Sequence, residues 1–433
     1  MLRVWMFCGL SLIGMTAQAA NLGEIYRMAR QNDPVFAAAQ QAYQAGLEKL
    51  PQGRAGLLPS IGLSANTRQN EIDSSLSGNR SYDSQSYSLS LTQPLFRLQN
   101  FEAYEQGKLQ ALLAEQQLKA AEQQLVLRAA QAYFDVLQAE DVLAAAQSEK
   151  QAYAEQLAQA RRSFEVGTAT IVDAHNAQAS YDLAFSRELK AQNDLDVKRR
   201  TLEKLLNAPA PRLARLGDKA QVERPEPDDM EAWVKQAEAN GLSVIQAQTA
   251  LEIARREVDR QRGGHYPTLD LAASYTDSRN GAVGSTTGVD SKTTVVGLEL
   301  SLPIFQGGAT SSRVREAVAN QEKARYDLDN ARRQAALDAR QAYLGVVSGR
   351  SQIAALEQAL ISTQAQLSSS KLGLEVGVRT RVDVLNAEQQ LSSTRQQLAA
   401  ARYQTLLAGL QLKAAAGSLA EADVQVIDGL LKN

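Results

Sequence analysis

Residues 165–178 read EVGTATIVDAHNAQ, and residues 375–388 read EVGVRTRVDVLNAE. Eight of the fourteen paired positions are identical, at a separation of 210 residues. The groups in these stretches that could do chemistry are few: Asp173, Asp383, Arg379, Asn386 and His175. Gly167 and Gly377 precede them, as residues that permit a tight turn. A carboxylate just after such a turn sits at the start of the next helix, where the positive end of the dipole favours it. That chemistry is electrostatic, not covalent. The two histidines, His175 and His265, fall at different points of the repeated halves, and the single cysteine is Cys8. A zinc site needs three or four ligands, so neither a metal site nor a cofactor is expected. No G-x-S-x-G or phosphate-loop sequence occurs, and Gly263-Gly264 and Gly307-Gly308 read as turns at helix–strand junctions. No enzyme is expected.

Residues 1–19 read as a secretory signal peptide. They hold one charge, Arg3, then an apolar run over 4–15 and the small-residue signal Ala17-Gln18-Ala19, so the mature chain is expected to start at Ala20. Cys8 lies inside that run without the small-residue box of a lipoprotein. The rest of the chain has no cysteine, so an exported protein without disulfides is expected. Lys+Arg 46 against Asp+Glu 48 gives a net charge of −2, with no basic excess for nucleic acid. Charge runs such as DVKRRTLEK (196–204) read as solvated helix faces. Beyond the leader no run of about 18 apolar residues could form a transmembrane helix. Aromatic residues at 5% are sparse for the core of a globular enzyme of this length.

The ten prolines outline the elements that must position the two tips. None occurs over 95–208 or from 304 to the end. A proline inside a helix costs about 3 kcal/mol, so these Ala/Gln/Glu/Leu-rich stretches are helix candidates. Gly167 and Gly377 interrupt them, which makes each stretch a helical hairpin with the repeated element at its tip. The first outgoing helix, over 101–165, is expected to be about 95 Å long. It carries two adjacent seams in 4,3 spacing: Leu125, Ala129, Ala132, Val136, Ala139, Leu143, Ala146 and Val126, Ala130, Tyr133, Leu137, Ala144. Two seams imply two packing neighbours, as in the wall of a helical cylinder; a plain coiled coil needs one.

Four segments alternate with period two. Ile61, Leu63 and Ala65 alternate with small or polar residues, as do Tyr87, Leu89 and Leu91; Leu269, Leu271, Ala273 and Tyr275; and Val296, Leu298, Leu300 and Leu302. These are one-faced strands, expected over 57–70, 85–97, 267–279 and 292–304. EIDSSLSGNRSYDSQ (71–85) and TDSRNGAVGSTTGVDSK (276–292) read as hairpin loops.

The chain is therefore a tandem repeat. Pro59 and Pro267 open the first strand of each half, PLF (94–96) and PIF (303–305) close the second, and Tyr133 is matched by Tyr343. The first repeat spans 20–206 and ends in a hairpin over 98–206. A Pro-rich linker (207–228) leads to the second, 229–416, with its hairpin over 306–416 and a C-terminal segment over 417–433. Four strands cannot close in a bilayer, where open edges are not tolerated. Two copies give eight strands around a filled interior, and three give twelve around a lumen. Asp270 and Glu299 on the polar faces fit a wet interior. A small soluble β-sandwich cap is the alternative for the strands.

GLELSLPIFQGG (297–308) and EVGVRTRVDVLNAEQQL (375–391) resemble the TolC family of outer-membrane exit ducts, and LLPSIGLSAN (57–66) and NDPVFAAA (32–39) look most like its type I secretion branch. The resemblance covers essentially the whole mature chain. It implies a mixed α/β membrane protein: a homotrimer with a twelve-stranded outer-membrane barrel, four strands per chain, above a periplasmic helical barrel that tapers to a closed end. It implies a periplasmic adaptor and an inner-membrane transporter as partners, docking near Gly167 and Gly377. By position, Asp383 matches the first acidic residue of the closing ring, Arg379 the arginine of the latch and Asp173 its acidic partner. Asn386 stands where a second ring carboxylate is often found, and Leu374 where a latch tyrosine is. The function implied is the exit duct of a type I secretion or multidrug efflux system. A structural or adhesive trimeric coiled-coil envelope protein is the alternative, with a diffusion porin and a hydrolytic envelope enzyme behind it.

Overall fold

The computed structural model describes residues 19–74, 78–217, 222–280 and 288–432. Apart from Ala19, the expected leader lies outside the described residues, as does Cys8. In chain order the elements are α1 (Leu22–Asn32), α2 (Pro34–Leu47), α3 (Lys49–Ala55), β1 (Ser60–Ser74), β2 (Gly78–Phe96), α4 (Leu98–Glu165) and α5 (Ile171–Leu206). The second half continues with β3 (Arg215–Leu216), α6 (Met230–Asn240), α7 (Leu242–Arg262), β4 (Thr268–Asn280), β5 (Val289–Ser301), α8 (Ala309–Glu375), α9 (Arg381–Ala415), α10 (Glu421–Asp428) and β6 (Leu431–Lys432). The chain divides into two compact units, residues 39–119 with 242–333, and residues 1–38, 120–241 and 334–433. Among the described residues no helix is long and apolar enough to cross a membrane.

The first unit holds an antiparallel sheet in the order β1-β2-β4-β5. Its register brings the apolar residues of all four strands into rows. Ile61 faces Leu91, which faces Ala273, which faces Val296; Leu63 faces Leu89, which faces Tyr275. Serines, threonines and glycines form the alternate rows, such as Ser64, Ser88, Thr276 and Thr293. On β2 the exposure runs opposite to that of a water-soluble sheet: Tyr87 and Leu89 are open while Ser86 and Ser88 are half-covered. On the edge strands Leu63 at 77%, Val296 at 69% and Leu300 at 70% are open, and so are Ser64 and Thr293 of the other face. The outer edges of β1 and β5 have no partner strand among the described residues.

Two sequence expectations need correction here. Of the segment 71–85, expected as a loop, 71–74 and 78–85 are paired strand and 75–77 lie outside the described residues: Glu71 faces Ser81, and Asp73 faces Asn79. In the second half β4 reaches Asn280 and β5 begins at Val289, so only 281–287 of the expected loop falls outside the described residues. Backbone pairing does not need apolar side chains, and polar cross-strand bonds hold these ends. Asn79 donates to Glu71 at 2.9 Å, Asn70 to Ser84 at 2.9 Å, and the Ser278 and Ser291 hydroxyls lie 2.7 Å apart. Loss of alternation marked the end of the apolar band, not of the strand.

On the polar strand face Asp270 is paired. It is 6% exposed and bound by both arms of the Arg97 guanidinium, the Nε at 2.8 Å. Its neighbour across the β4–β5 pair is Glu299. Two carboxylates side by side require a cation, and Arg97, just after the bulge at Pro94–Phe96, supplies it.

In the second unit the seam over 125–137 is buried throughout at the expected positions, and Tyr133 is fully buried. Ala144, assigned to a seam, is instead exposed. Phe134, assigned to neither, is buried and stacks on Tyr403 with centroids 5.5 Å apart. The paired tyrosines anchor different segments. Tyr133 donates to the Ala214 carbonyl at 2.6 Å, with the Ala20 carbonyl 3.3 Å away, whereas Tyr343 donates to Asp228 at 2.9 Å. The Pro-rich linker is thereby held against the hairpins, and β3 pairs with β6 from the C-terminal segment. Asp33 caps the start of α2 through the Phe36 amide and also binds Arg128 at 2.6 Å.

Candidate functional site

Each long hairpin reverses in five residues, 166–170 between α4 and α5 and 376–380 between α8 and α9. The reversals follow one plan. Gly167 has φ +79° and Gly377 φ +77°, the left-handed region that costs a side chain steric strain. A Cβ at either glycine meets nothing within 4 Å, so the dihedral, not space, demands glycine. The amides then fold back on the last helical turn. Gly167 donates to Phe164 at 2.9 Å and Thr168 to Ser163 at 2.8 Å; Gly377 donates to Leu374 at 3.1 Å and Val378 to Gly373 at 2.9 Å.

The returning helices start with reciprocal caps. The Asp173 amide donates to the Thr170 hydroxyl at 3.3 Å, and the Asp173 carboxylate accepts from the Thr170 amide at 2.9 Å and its hydroxyl at 2.7 Å. Asp383 does the same with Thr380, at 3.2, 2.8 and 2.8 Å. Hydrogen bonds from Thr170, its hydroxyl first, hold the Asp173 carboxyl below the usual carboxylate range. For Asp383 the Thr380 amide is the larger cause, followed by its hydroxyl and the Arg379 charge. The sequence signature of these caps is T-x-x-D at 170–173 and 380–383: the threonine hydroxyl, beyond the helix dipole, fixes each aspartate.

Arg379, Asp383 and Asn386 lie together, and Asp173 does not join them within one chain. The Arg379 guanidinium is 4.0 Å from Asp383, with both side chains open to solvent. Asn386 is exposed, one turn further along the same helical face. The second oxygen of Asp173 has no partner among the described residues. Position 169, which matches Arg379 in the repeat, is alanine. His175 and His265 are exposed. Among the described residues no cluster of His, Cys, Asp or Glu could hold a metal ion.

Behind the second tip Lys371 and Glu388 join α8 to α9 at 3.0 Å, over a packed cluster of Leu367, Ala387 and Leu391. Behind the first, Arg161 reaches Gln178 at 2.6 Å. The sequence carries no local sign of these contacts, because the reach of a long side chain across a hairpin is fixed by the turn's register.

One-faced strands with exposed apolar rows, joined to long hairpins with polar tips, define an outer-membrane duct protein. The model of the family described as outer membrane efflux protein matches residues 25–208 and 233–418, one match per repeat. The chain is 35% identical over 436 residues to the alkaline protease secretion protein AprF of Pseudomonas aeruginosa, covering 98% of this chain and 90% of that one. It is 35% identical over 435 residues to the outer membrane protein TolC of Escherichia coli, covering 98% and 88%. The Campylobacter jejuni CmeC outer membrane channel shares the fold with a TM-score of 0.81 at 16% identity, over 95% of this chain and 90% of that one. The Vibrio cholerae outer membrane protein VceC does so with a TM-score of 0.76 at 18% identity, over 92% and 96%. This chain belongs to the outer membrane efflux protein family, of which TolC is a member: it is an exit duct of the outer membrane.

Proposed function

We propose that three copies of this chain close their sheets into one twelve-stranded barrel, and that their hairpins line a periplasmic tunnel gated at the tips. The observation that carries this reading is the sheet with its large apolar side chains outward and both edges free. A lipid surface satisfies the face, and the edges of neighbouring copies satisfy each other. Two copies would leave eight strands, an interior filled by side chains. The serine and threonine rows suit a wet lumen better. An adhesive coiled coil has no use for such strands, and the relatives lend it no support.

The tips form the gate. Asp383 from each copy supplies the ring of carboxylates, and Asn386 leaves the next turn uncharged. Arg379 latches to the free oxygen of an Asp173 across the gap between adjoining hairpins, while also neutralising its own Asp383. Exposed ion pairs are worth about 0–1 kcal/mol each, so three latches amount to a few kcal/mol at most. Docking of a periplasmic adaptor around Gly167 and Gly377 offsets that and couples the duct to an inner-membrane transporter, the source of energy. Protein cargo is favoured over small molecules because AprF of Pseudomonas aeruginosa and PrtF of Dickeya chrysanthemi are both described as protease secretion proteins.

Planar lipid bilayers test the reading. Reconstituted protein should give uniform conductance steps, and Arg379→Ala should raise the conductance of the resting channel. Electrical silence contradicts the duct; an unchanged resting conductance removes Arg379 from the latch.

A further inference from the structure

The two tips share a backbone plan but differ at one position of the last helical turn, half-buried in the first tip and buried in the second. The first has Ser163 there and the second Gly373. Both carbonyls accept the same two amides: Ser163 those of Thr168 and Ala169 at 2.8 and 3.2 Å, Gly373 those of Val378 and Arg379 at 2.9 and 3.0 Å. The turn itself therefore does not require glycine at 373, where φ is helical and alanine is the better helix former. What differs is the residue lying over the site. In the first tip it is Ala169, which has no stem; in the second it is Arg379.

A Cβ built on Gly373 would stand 2.6 Å from Cγ of Arg379 and 3.2 Å from its Cβ. The colliding atom is Cγ, next to the root of the side chain, not its mobile end. Relief at Cγ requires rotation of Arg379 about χ1, and that swings the whole guanidinium away from Asp383, to which it now lies 4.0 Å. Gly373 is itself buried, although Lys371, Leu372 and Val376 around it are exposed.

We propose that Gly373 is a positioning residue for the gate: it is kept free of a side chain so that the Arg379 stem can lie against the end of α8 and present its guanidinium at the aperture. This rests on the reading of Arg379 as the latch. Gly373→Ala, Arg379→Ala and the double variant are compared in planar bilayers and by thermal melting of the detergent-solubilised protein. Gly373→Ala is expected to raise resting conductance by the same factor as Arg379→Ala. The double variant should be no leakier than either single one, and the melting temperature should be unchanged or higher. A merely structural glycine would lower the melting temperature when replaced, and its effect on conductance would add to that of Arg379→Ala. If Arg379→Ala leaks and Gly373→Ala does not, the positioning role is wrong and the latch stands. If Arg379→Ala itself does not leak, both are overturned.

Discussion

The Arg379 guanidinium and the Asp383 carboxylate lie 4.0 Å apart at the tip of the second hairpin, and the matching position of the first hairpin holds Ala169 instead of an arginine. The carboxylate that would ring the aperture thus has a cation beside it, and Asn386 adds no second ring. Three carboxylates at a constriction still attract divalent cations. The expected block is weaker than in relatives with two acidic rings, and Asp383→Asn should abolish it. The Thr380 amide and hydroxyl keep the Asp383 carboxyl below the ordinary value of about 3.9. Cation block should therefore hold constant as pH falls from 7 to about 5 and fade only below that ordinary range. Conductance titrated with a divalent cation at each pH measures this; a deep block that survives Asp383→Asn contradicts it.

Tyr133 is fully buried, and its hydroxyl serves the carbonyls of Ala214 and Ala20. Burial pushes the phenol pKa up, so the group stays neutral at any working pH. Tyr133→Phe leaves the Ala214 carbonyl without its donor, while the Ala20 carbonyl keeps the Ala214 amide, at a cost of about 1–3 kcal/mol. Chemical denaturation of the solubilised protein should show that loss, together with faster hydrogen exchange around residues 213–217. No change in either would place the linker's anchor elsewhere.

Arg97 holds the buried Asp270, which faces Glu299 across the strand pair. Arg97→Ala leaves a buried carboxylate beside another carboxylate, costing roughly 1–3 kcal/mol after discounting for the partial exposure of Arg97. Asp270→Asn in the same chain should restore much of the loss, because it removes the charge that needed a partner. Melting temperatures of the three variants decide it, and failure of the second substitution to rescue would show that Arg97 acts through something else.

Burial works to raise the pKa of Glu257, yet hydrogen bonds from Arg260, Gln106 and Gln261 hold its carboxyl down at about 2. A depressed carboxyl contributes stability that is complete above its unfolded value and lost as pH falls through its folded one. Glu257→Gln should therefore lower the melting temperature at pH 7, by an amount that shrinks between pH 4.5 and 2. A difference independent of pH over that interval would mean that the ionised carboxylate is not what joins α7 to α4.

What the sequence made legible was what repeats with a period. Alternation marked four strands, absence of proline marked the long helices, and a glycine with a following aspartate marked each tip. The family could be recognised from strand-end and tip motifs for the same reason. Relations between distant residues were not legible. Nothing in 97 and 270, separated by 173 positions, announces an ion pair until the sheet register is known. The polar strand ends at 71–74 and 78–85 carry no apolar alternation because they need none, so a pattern-based reading ended the strands too early. Gly373 looked like any helical glycine until the Arg379 stem was seen to occupy its missing Cβ. The short β3–β6 pairing was equally invisible, since two residues have no period.

The shared barrel is tested most directly by native mass spectrometry of the protein gently extracted from membranes in detergent. Three chains per particle are expected, held together by the edges of β1 and β5 and by packed hairpins. A particle of one chain, stable and folded with those edges open, would contradict it.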